Sequence, residues 1–282
     1  MTNLLRPCIA VLIAAHNRRE LTVRALQALQ CDENHFSLKI VIYDDGSNDG
    51  TASAVKAVCP DAIILQGTGD AYWNGAMNAA WSYALSLHTD GYLWLNDDVR
   101  LDEDALPRLA HEWHRLGGAQ SPFIIVGATC DENGLLSYGG QKRIFSPFGL
   151  KFKQLPISET YQQADTFNGN IVLISHATVE RIGINDPKFL HSLGDLDYGL
   201  RATYAKIPIY VLPRTAGVCN KNPPKDLSAL SVRERWRYFT SAKGLPLRSW
   251  SRFTRRYSGL FYPVHLILPY RKIFFSNAGR DK

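Results

Sequence analysis

An α/β fold built on a mostly parallel, doubly wound sheet is what this sequence predicts, and three observations predict it. Short β-rich apolar runs alternate with segments of helical period through the first half of the chain. Polar and acidic clusters fall where those runs end. The chain has 282 residues, 45% of them hydrophobic, which is enough to bury one large core with an appendage.

The elements follow in order. "IAVLIAA" (9–15) is the first strand, and after it Leu21, Ala25, Ala28 and Leu29 share one helical face. "LKIVIY" (38–43) is the second strand, with a helix from Thr51 that turns Val55 and Val58 inward. "AIILQ" (62–66) is the third, and the helix from Asn74 carries Met77, Ala80, Trp81, Ala84 and Leu85, with Trp81 read as core. "YLWLN" (92–96) is the fourth, before a helix with Leu106, Leu109, Trp113 and Leu116 that opens after the acidic "DED". Four β-α units in series give a parallel sheet. Beyond them come "FIIVGATC" (123–130), a turn-rich stretch and a loop-like segment through Gln163. Regularity returns with "NIVLIS" (170–175), helices over 176–182 and about 195–205, and "IPIYVL" (207–212). From Cys219 onward prolines and a basic, aromatic composition mark a boundary, so residues 1–220 form the main domain and 221–282 an extension.

Charge is divided between those two parts. Residues 221–282 hold 14 Lys and Arg against 3 Asp and Glu, leaving 18 against 23 in residues 1–220. A mildly acidic body therefore carries a strongly basic tail. Five scattered cysteines (Cys8, Cys31, Cys59, Cys130, Cys219) without a C-x-x-C pair argue against a disulfide framework and a cysteine zinc site, and a reducing cytoplasm is the simplest setting. The eight histidines include no H-E-x-x-H pattern. The apolar start is too short for a convincing signal peptide, so it reads as a strand. The run at 260–270 is broken by Pro263 and Pro269, whereas a membrane-spanning helix needs about 20 apolar residues.

"LWLNDDV" (93–99) poses the central chemical question. A buried strand ends in Asn96, Asp97 and Asp98, and two adjacent carboxylates repel unless a cation joins them. Open α/β sheets bind ligands beyond the carboxyl ends of their strands, where both this cluster and "DDGS" (44–47) fall.

"AAHNRRE" after the first strand, "YDDGSNDGT" after the second, "GTGDAYWNGAMNAAW" after the third, "LWLNDDV" at the fourth and "HSLGDLDYGLRA" at 191–202 resemble, in that order, the blocks of inverting family-2 glycosyltransferases with the Rossmann-like GT-A fold. The flavour is that of the rhamnosyltransferase-like group of bacterial surface-polysaccharide synthesis, which includes lipopolysaccharide O-antigen. The resemblance implies a nucleotide site at Ala14, His16, Asp44, Asp45, Trp73, Asn74, Asn78 and Asp97. It places a divalent Mg or Mn cation on Asp98, the general base at Asp195, and sugar or acceptor contacts at Asn168, Gly169, His191 and Asp197. The implied donor is a dTDP- or UDP-sugar and the acceptor a hydroxyl of a lipid-linked glycan. A hard cation neutralises the charge that develops as a nucleoside diphosphate leaves. Two positions depart from the family pattern: Asn96 stands where an Asp is commoner, and Gly194 where Glu usually precedes the base.

The residues alone leave alternatives open. Asp44 and Asp45 also suit a turn that caps the next helix, Asp195 a helix N-cap, and the base role could shift to Asp197. Trp250, Phe253, Tyr257 and Phe261 share a helical face flanked by Arg252, Arg255 and Arg256, which suits either an anionic membrane surface or ordinary packing. With the first reading the protein is cytoplasmic and peripheral at the inner face of the cell membrane; no nucleic-acid partner is expected. The competing functions are a sugar-nucleotidyltransferase, for which "AAHNRRE" lacks a glycine-rich phosphate loop, and a catalytically silent nucleotide-sugar-binding subunit.

Overall fold

The computed structural model describes residues 6–30, 35–221, 223 and 225–275; Cys31 lies outside them. Strand β1 (Cys8–Ala15) is buried on both faces, as an uninterrupted apolar run in a parallel sheet must be. It pairs in parallel with β2 (Ser37–Asp44) on one side and β4 (Gly91–Leu95) on the other, and β2 pairs in parallel with β3 (Ile63–Gln66). The crossovers are α1 (Arg19–Gln30), α2 (Thr51–Val58) and α3 (Tyr72–Ala84).

After β4 the chain forms β5 (Arg100–Leu101), α4 (Ala105–Arg115), β6 (Ile124–Cys130), β7 (Leu136–Tyr138), β8 (Gly140–Ile144), β9 (Lys151–Gln154), β10 (Gln162–Gln163), β11 (Thr166–Phe167), β12 (Ile171–Ser175), α5 (His176–Ile182), α6 (Gly194–Tyr204) and β13 (Ile209–Val218). The main sheet runs β10-β13-β6-β12-β4-β1-β2-β3, and β11-β8-β9 make a small second sheet. Leu26, Leu29, Val55, Leu106, Leu109 and Trp113 cover one face of the main sheet. Met77, Ala80, Trp81, Tyr198 and Ala202 cover the other. The sheet is thus doubly wound, as expected.

Two features differ from expectation. β12 runs antiparallel to both β4 and β6. The segment expected to be irregular holds β7 to β10, whose half-exposed, polar sequences such as "GQKRI" carry little apolar period.

The C-terminal segment forms α7 (Val232–Thr240), α8 (Leu247–Tyr257), α9 (Tyr262–Ile267) and α10 (Arg271–Phe274). The aromatic face of α8 packs inward, with Trp250, Phe253 and Tyr257 buried against Phe189, Leu193 and Leu200. Arg252 and Arg256 turn the same way: both reach Asp186 at 2.7 Å, and Arg256 also reaches Asp197 at 2.5 Å. Arg255 lies over the Tyr262 ring. The arginines expected to face a membrane are therefore largely engaged within the protein. Among the described residues no helix is long and apolar enough to cross a membrane.

Candidate active site

The carboxyl ends of β1, β2 and β4, the segment before β12 and the start of α6 surround one cavity of about 560 Å³. Of the residues expected at the site, Ala14, His16, Asp45, Trp73, Asp97, Asp98, Asn168, Gly169, His191 and Asp195 line it.

Asp45 braces the cavity wall at the end of β2. Its carboxylate accepts from the backbone N–H groups of Gly69 (2.9 Å), Ala71 (3.3 Å) and Tyr72 (3.1 Å), tying the β3–α3 loop to the end of β2. His16 Nδ1 contacts the Asp45 carbonyl. Trp73 Nε1 donates to Asn96 Oδ1 at 2.8 Å, which fixes the amide that replaces the commoner carboxylate. Gly169 is needed for close approach, since a Cβ there would stand 2.6 Å from the Trp73 ring. Tyr72 and Leu193, both on the cavity wall, adopt left-handed φ values of 52° and 75°, costly for non-glycine residues.

Asp97 and Asp98 share one guanidinium nitrogen. Arg18 Nη1 lies 2.9 Å from Asp97 Oδ1 and 2.8 Å from Asp98 Oδ2. Burial, reinforced by the neighbouring Asp98 charge and opposed by Arg18, pushes the Asp97 carboxyl up to about 7. The Cys219 thiol is 3.5 Å from Asp98 Oδ1 and, with its pKa pushed up to about 12 by burial and that carboxylate, stays protonated. Among the described residues no group of three or more His, Cys, Asp and Glu side chains is arranged to hold a metal. The donor set still fits a hard divalent cation, which commonly uses one or two carboxylates together with waters and substrate phosphates. Asp98 and Asp97 are the residues that would hold one.

Asp195 is the second residue of α6, not its cap; the cap position is Leu193 and has no side-chain bond. Asp195 Oδ2 accepts from Gly169 N (3.1 Å) and Oδ1 from Leu196 N (2.8 Å), while burial raises its pKa. His191 shares the cavity; burial, then the charges of Lys243 and Arg18, lower its pKa, and its buried Nδ1 has no hydrogen-bond partner. It stays neutral at neutral pH.

Four expected site residues lie elsewhere, each for a definable reason. Asp44 is buried and its Oδ1 accepts from Ser47 N at 3.0 Å, so it makes the turn after β2. Asn74 is fully buried and donates to the carbonyls of Asp186 (2.9 Å) and Phe189 (2.7 Å). Asn78 donates to the Asn185 carbonyl at 2.7 Å. Both asparagines therefore hold the 185–189 segment and do not line the cavity. Asp197 is fully buried and bound by Arg201 (3.1 Å), Arg256 (2.5 Å) and the Tyr257 hydroxyl (2.8 Å), which removes it from both the acceptor and the base roles. Gly194 also finds its reason here, because a Cβ would stand 1.8 Å from Asn74 Oδ1.

Among the cavity residues not expected at the site from the sequence, Arg18, Cys219 and Lys243 carry ionisable groups. An uncompensated Asp-Asp pair signals a counter-charge, and "HNRRE" ends the adjacent strand, so Arg18 had a trace in the sequence. Lys243 comes from the extension and had none.

A family model described as glycosyl transferase family 2 matches residues 10–174. Among curated proteins none matches. Three solved structures share the architecture at low identity. A mannosyltransferase from Pyrobaculum calidifontis, in complex with GDP-Man and Mn2+, has a TM-score of 0.53 and 16% identity over 96% of this chain and 72% of its own. S. aureus TarS 1-349 in complex with UDP-GlcNAc has a TM-score of 0.55 and 14% identity over 89% of this chain and 72% of its own. GalNAc-T7 with UDP, GalNAc and Mn2+ has a TM-score of 0.59 and 12% identity over 96% of this chain and 55% of its own.

Proposed function

The chain belongs to glycosyl transferase family 2 and has the GT-A fold, and from that premise we propose that it moves a sugar, with inversion, from a dTDP- or UDP-sugar to a hydroxyl of a lipid-linked glycan. The observation that carries this reading is the convergence of Asp45, Asp97, Asp98 and Asp195 on one cavity from three separate segments. A Mg²⁺ or Mn²⁺ bound there supplies Lewis-acid neutralisation of the departing diphosphate.

The remaining roles belong to the chain's own groups. Asp45 keeps the β3–α3 loop closed beneath the nucleoside, and a carboxylate floor suits the N–H edge of uracil or thymine. Asp195, held by two backbone N–H groups, accepts the acceptor hydroxyl's proton. Its raised pKa brings it closer to the operating pH, where a base is most effective. His191 remains neutral and can orient the acceptor without competing for that proton.

Membrane contact is proposed on different side chains from those the sequence suggested. Phe145, Phe148, Leu260 and Ile267 are 80%, 71%, 98% and 69% exposed, and Phe145 packs on Phe261 near the end of α8. These apolar groups, Leu260 and Ile267 on the basic extension and the two phenylalanines on the β8–β9 loop, suit peripheral contact with an anionic bilayer at the cytoplasmic face of a bacterial membrane, where surface polysaccharide is assembled.

The test is a binding panel followed by turnover. UDP and dTDP with Mn²⁺ are expected to raise the melting temperature well beyond GDP or ADP, by mass action on the folded state. The purified protein is then expected to hydrolyse its donor slowly, and Asp195→Asn to abolish transfer. Binding without any metal-dependent turnover would instead identify a silent donor-binding subunit.

A further inference from the structure

We propose that Arg18 is a resident counter-cation that competes with the divalent metal for Asp97 and Asp98 and yields them when the donor's diphosphate arrives, so that metal and nucleotide bind as one unit. This rests on the reading that the cavity takes a metal-bound nucleoside diphosphate.

The geometry carries the inference. One nitrogen, Arg18 Nη1, meets both carboxylates at 2.9 and 2.8 Å, so it already supplies the positive charge that a cation shared by the pair would bring. Asp97 is only 7% exposed at its side chain, and a buried carboxylate beside a second one is too costly to leave unpaired. Arg18 therefore answers the question that the Asp-Asp pair poses.

The same residue is built to move. Its backbone carbonyl is fixed at the start of α1 by Thr22 N and Thr22 Oγ1, both at 2.9 Å, while its side chain is 40% exposed on the cavity wall. Both carboxylate contacts run through Nη1, which leaves Nε and Nη2 to meet an anion entering the cavity. Guanidinium groups bind phosphate with strong, charge-assisted hydrogen bonds.

Metal alone gains little by this exchange. It must displace a guanidinium from two carboxylates and finds no third acidic or histidine ligand among the described residues. With a diphosphate present, the metal completes its shell with phosphate oxygens and Arg18 exchanges carboxylate for phosphate. The two ligands are then positively coupled, and the coupling is reciprocal.

The test reads metal binding without turnover. Mn²⁺ is titrated against wild type, Arg18→Met and Arg18→Lys, with and without UDP, and free Mn²⁺ is followed by its electron paramagnetic resonance signal. Without UDP, Arg18→Met is expected to bind Mn²⁺ about tenfold more tightly than wild type, and UDP to improve its Mn²⁺ affinity by a factor about tenfold smaller. Arg18→Lys, which keeps a charge but not the planar fork, is expected to lie between them; because it preserves neutralisation, it reads the same competition if Arg18→Met proves unstable. Equal or weaker Mn²⁺ binding by both variants without UDP overturns the proposal. Failure of every form, wild type included, to bind Mn²⁺ even with UDP overturns the metal reading beneath it, and is told apart from the first result by the wild-type titration.

Discussion

Asp197→Ala separates the two carboxylates of the "GDLD" step. Asp197 is fully buried and receives Arg201, Arg256 and the Tyr257 hydroxyl, so its removal strands two guanidinium groups and a phenol at the joint between α6 and α8. Breaking a buried ion pair from one side costs about 3–5 kcal/mol. Arg201 keeps the Ile182 and Ile184 carbonyls, and Arg256 keeps Asp186, which argues for the lower end of that range. A loss of about 3 kcal/mol is a large share of the roughly 5–15 kcal/mol that holds a domain folded. At about 2 °C per kcal/mol for a large chain, the melting temperature should fall by about 6 °C. Differential scanning fluorimetry measures that shift, and trypsin digestion measures release of α8, whose Arg252 and Arg256 should become cleavable sooner than in wild type. Transfer, assayed well below the new melting temperature, should persist at a reduced rate. A melting temperature within about 1 °C of wild type, together with abolished transfer, would show that Asp197 acts in the chemistry and that the structural role assigned to it is wrong.

Three further outcomes follow from the same geometry. Asp195→Asn should cut transfer by about 10²–10⁴. Because burial raises the folded-state pKa of Asp195, the folded chain holds that proton over a window where the unfolded chain has lost it, so wild-type stability falls as pH rises through the window. The melting-temperature difference should therefore shift in the variant's favour between pH 4 and pH 8, and a difference independent of pH contradicts the buried placement. Gly194→Ala drives a Cβ into Asn74 and should cost about 1–3 kcal/mol by overpacking; in an Asn74→Ala background the added cost should shrink, and strict additivity of the two denaturation midpoints counts against the contact. Leu260→Asp with Ile267→Asp should weaken sedimentation with anionic vesicles at unchanged melting temperature, whereas reversing Arg252 and Arg256 should lower the melting temperature by breaking their pairs with Asp186 and Asp197. Undiminished vesicle binding by the apolar pair of substitutions moves any membrane surface elsewhere.

β1 and β4 were legible because each is buried on both faces, which forces a continuous apolar run in the strand and a one-sided stripe in the helices that cover it. β1 shows both effects with α1 behind it. β8 and β9 were not legible for the converse reason. They pair Lys142 with Lys153 and Arg143 with Phe152 in a half-exposed sheet, so their stability comes from non-local backbone pairing that leaves no period in either segment. The reversed direction of β12 was equally hidden, since an apolar strand reads the same whichever way it runs.

The candidate site divides along a similar line, between residues whose position is local and residues whose partner is distant. Asp45, Asp97 and Asp98 end strands, and strand ends at the carboxyl edge of an open sheet face the ligand crevice, so their placement needed no tertiary knowledge. Asn74 and Asn78 also follow a strand closely, but their amides are consumed by carbonyls at 185–189, more than 100 residues away. A buried loop must have its carbonyls satisfied, and nothing local says which side chain will do it. Arg18 is the instructive intermediate. Two adjacent carboxylates, one buried and one half-buried, call for a cation by electrostatics alone, and the requirement does not say whether that cation is a metal or a side chain. In this fold the turn after β1 puts an arginine within 3 Å of both carboxylates, so the cation required by sequence is supplied first by the chain itself. Any metal that serves the reaction then has to be strong enough, with its nucleotide, to take that place.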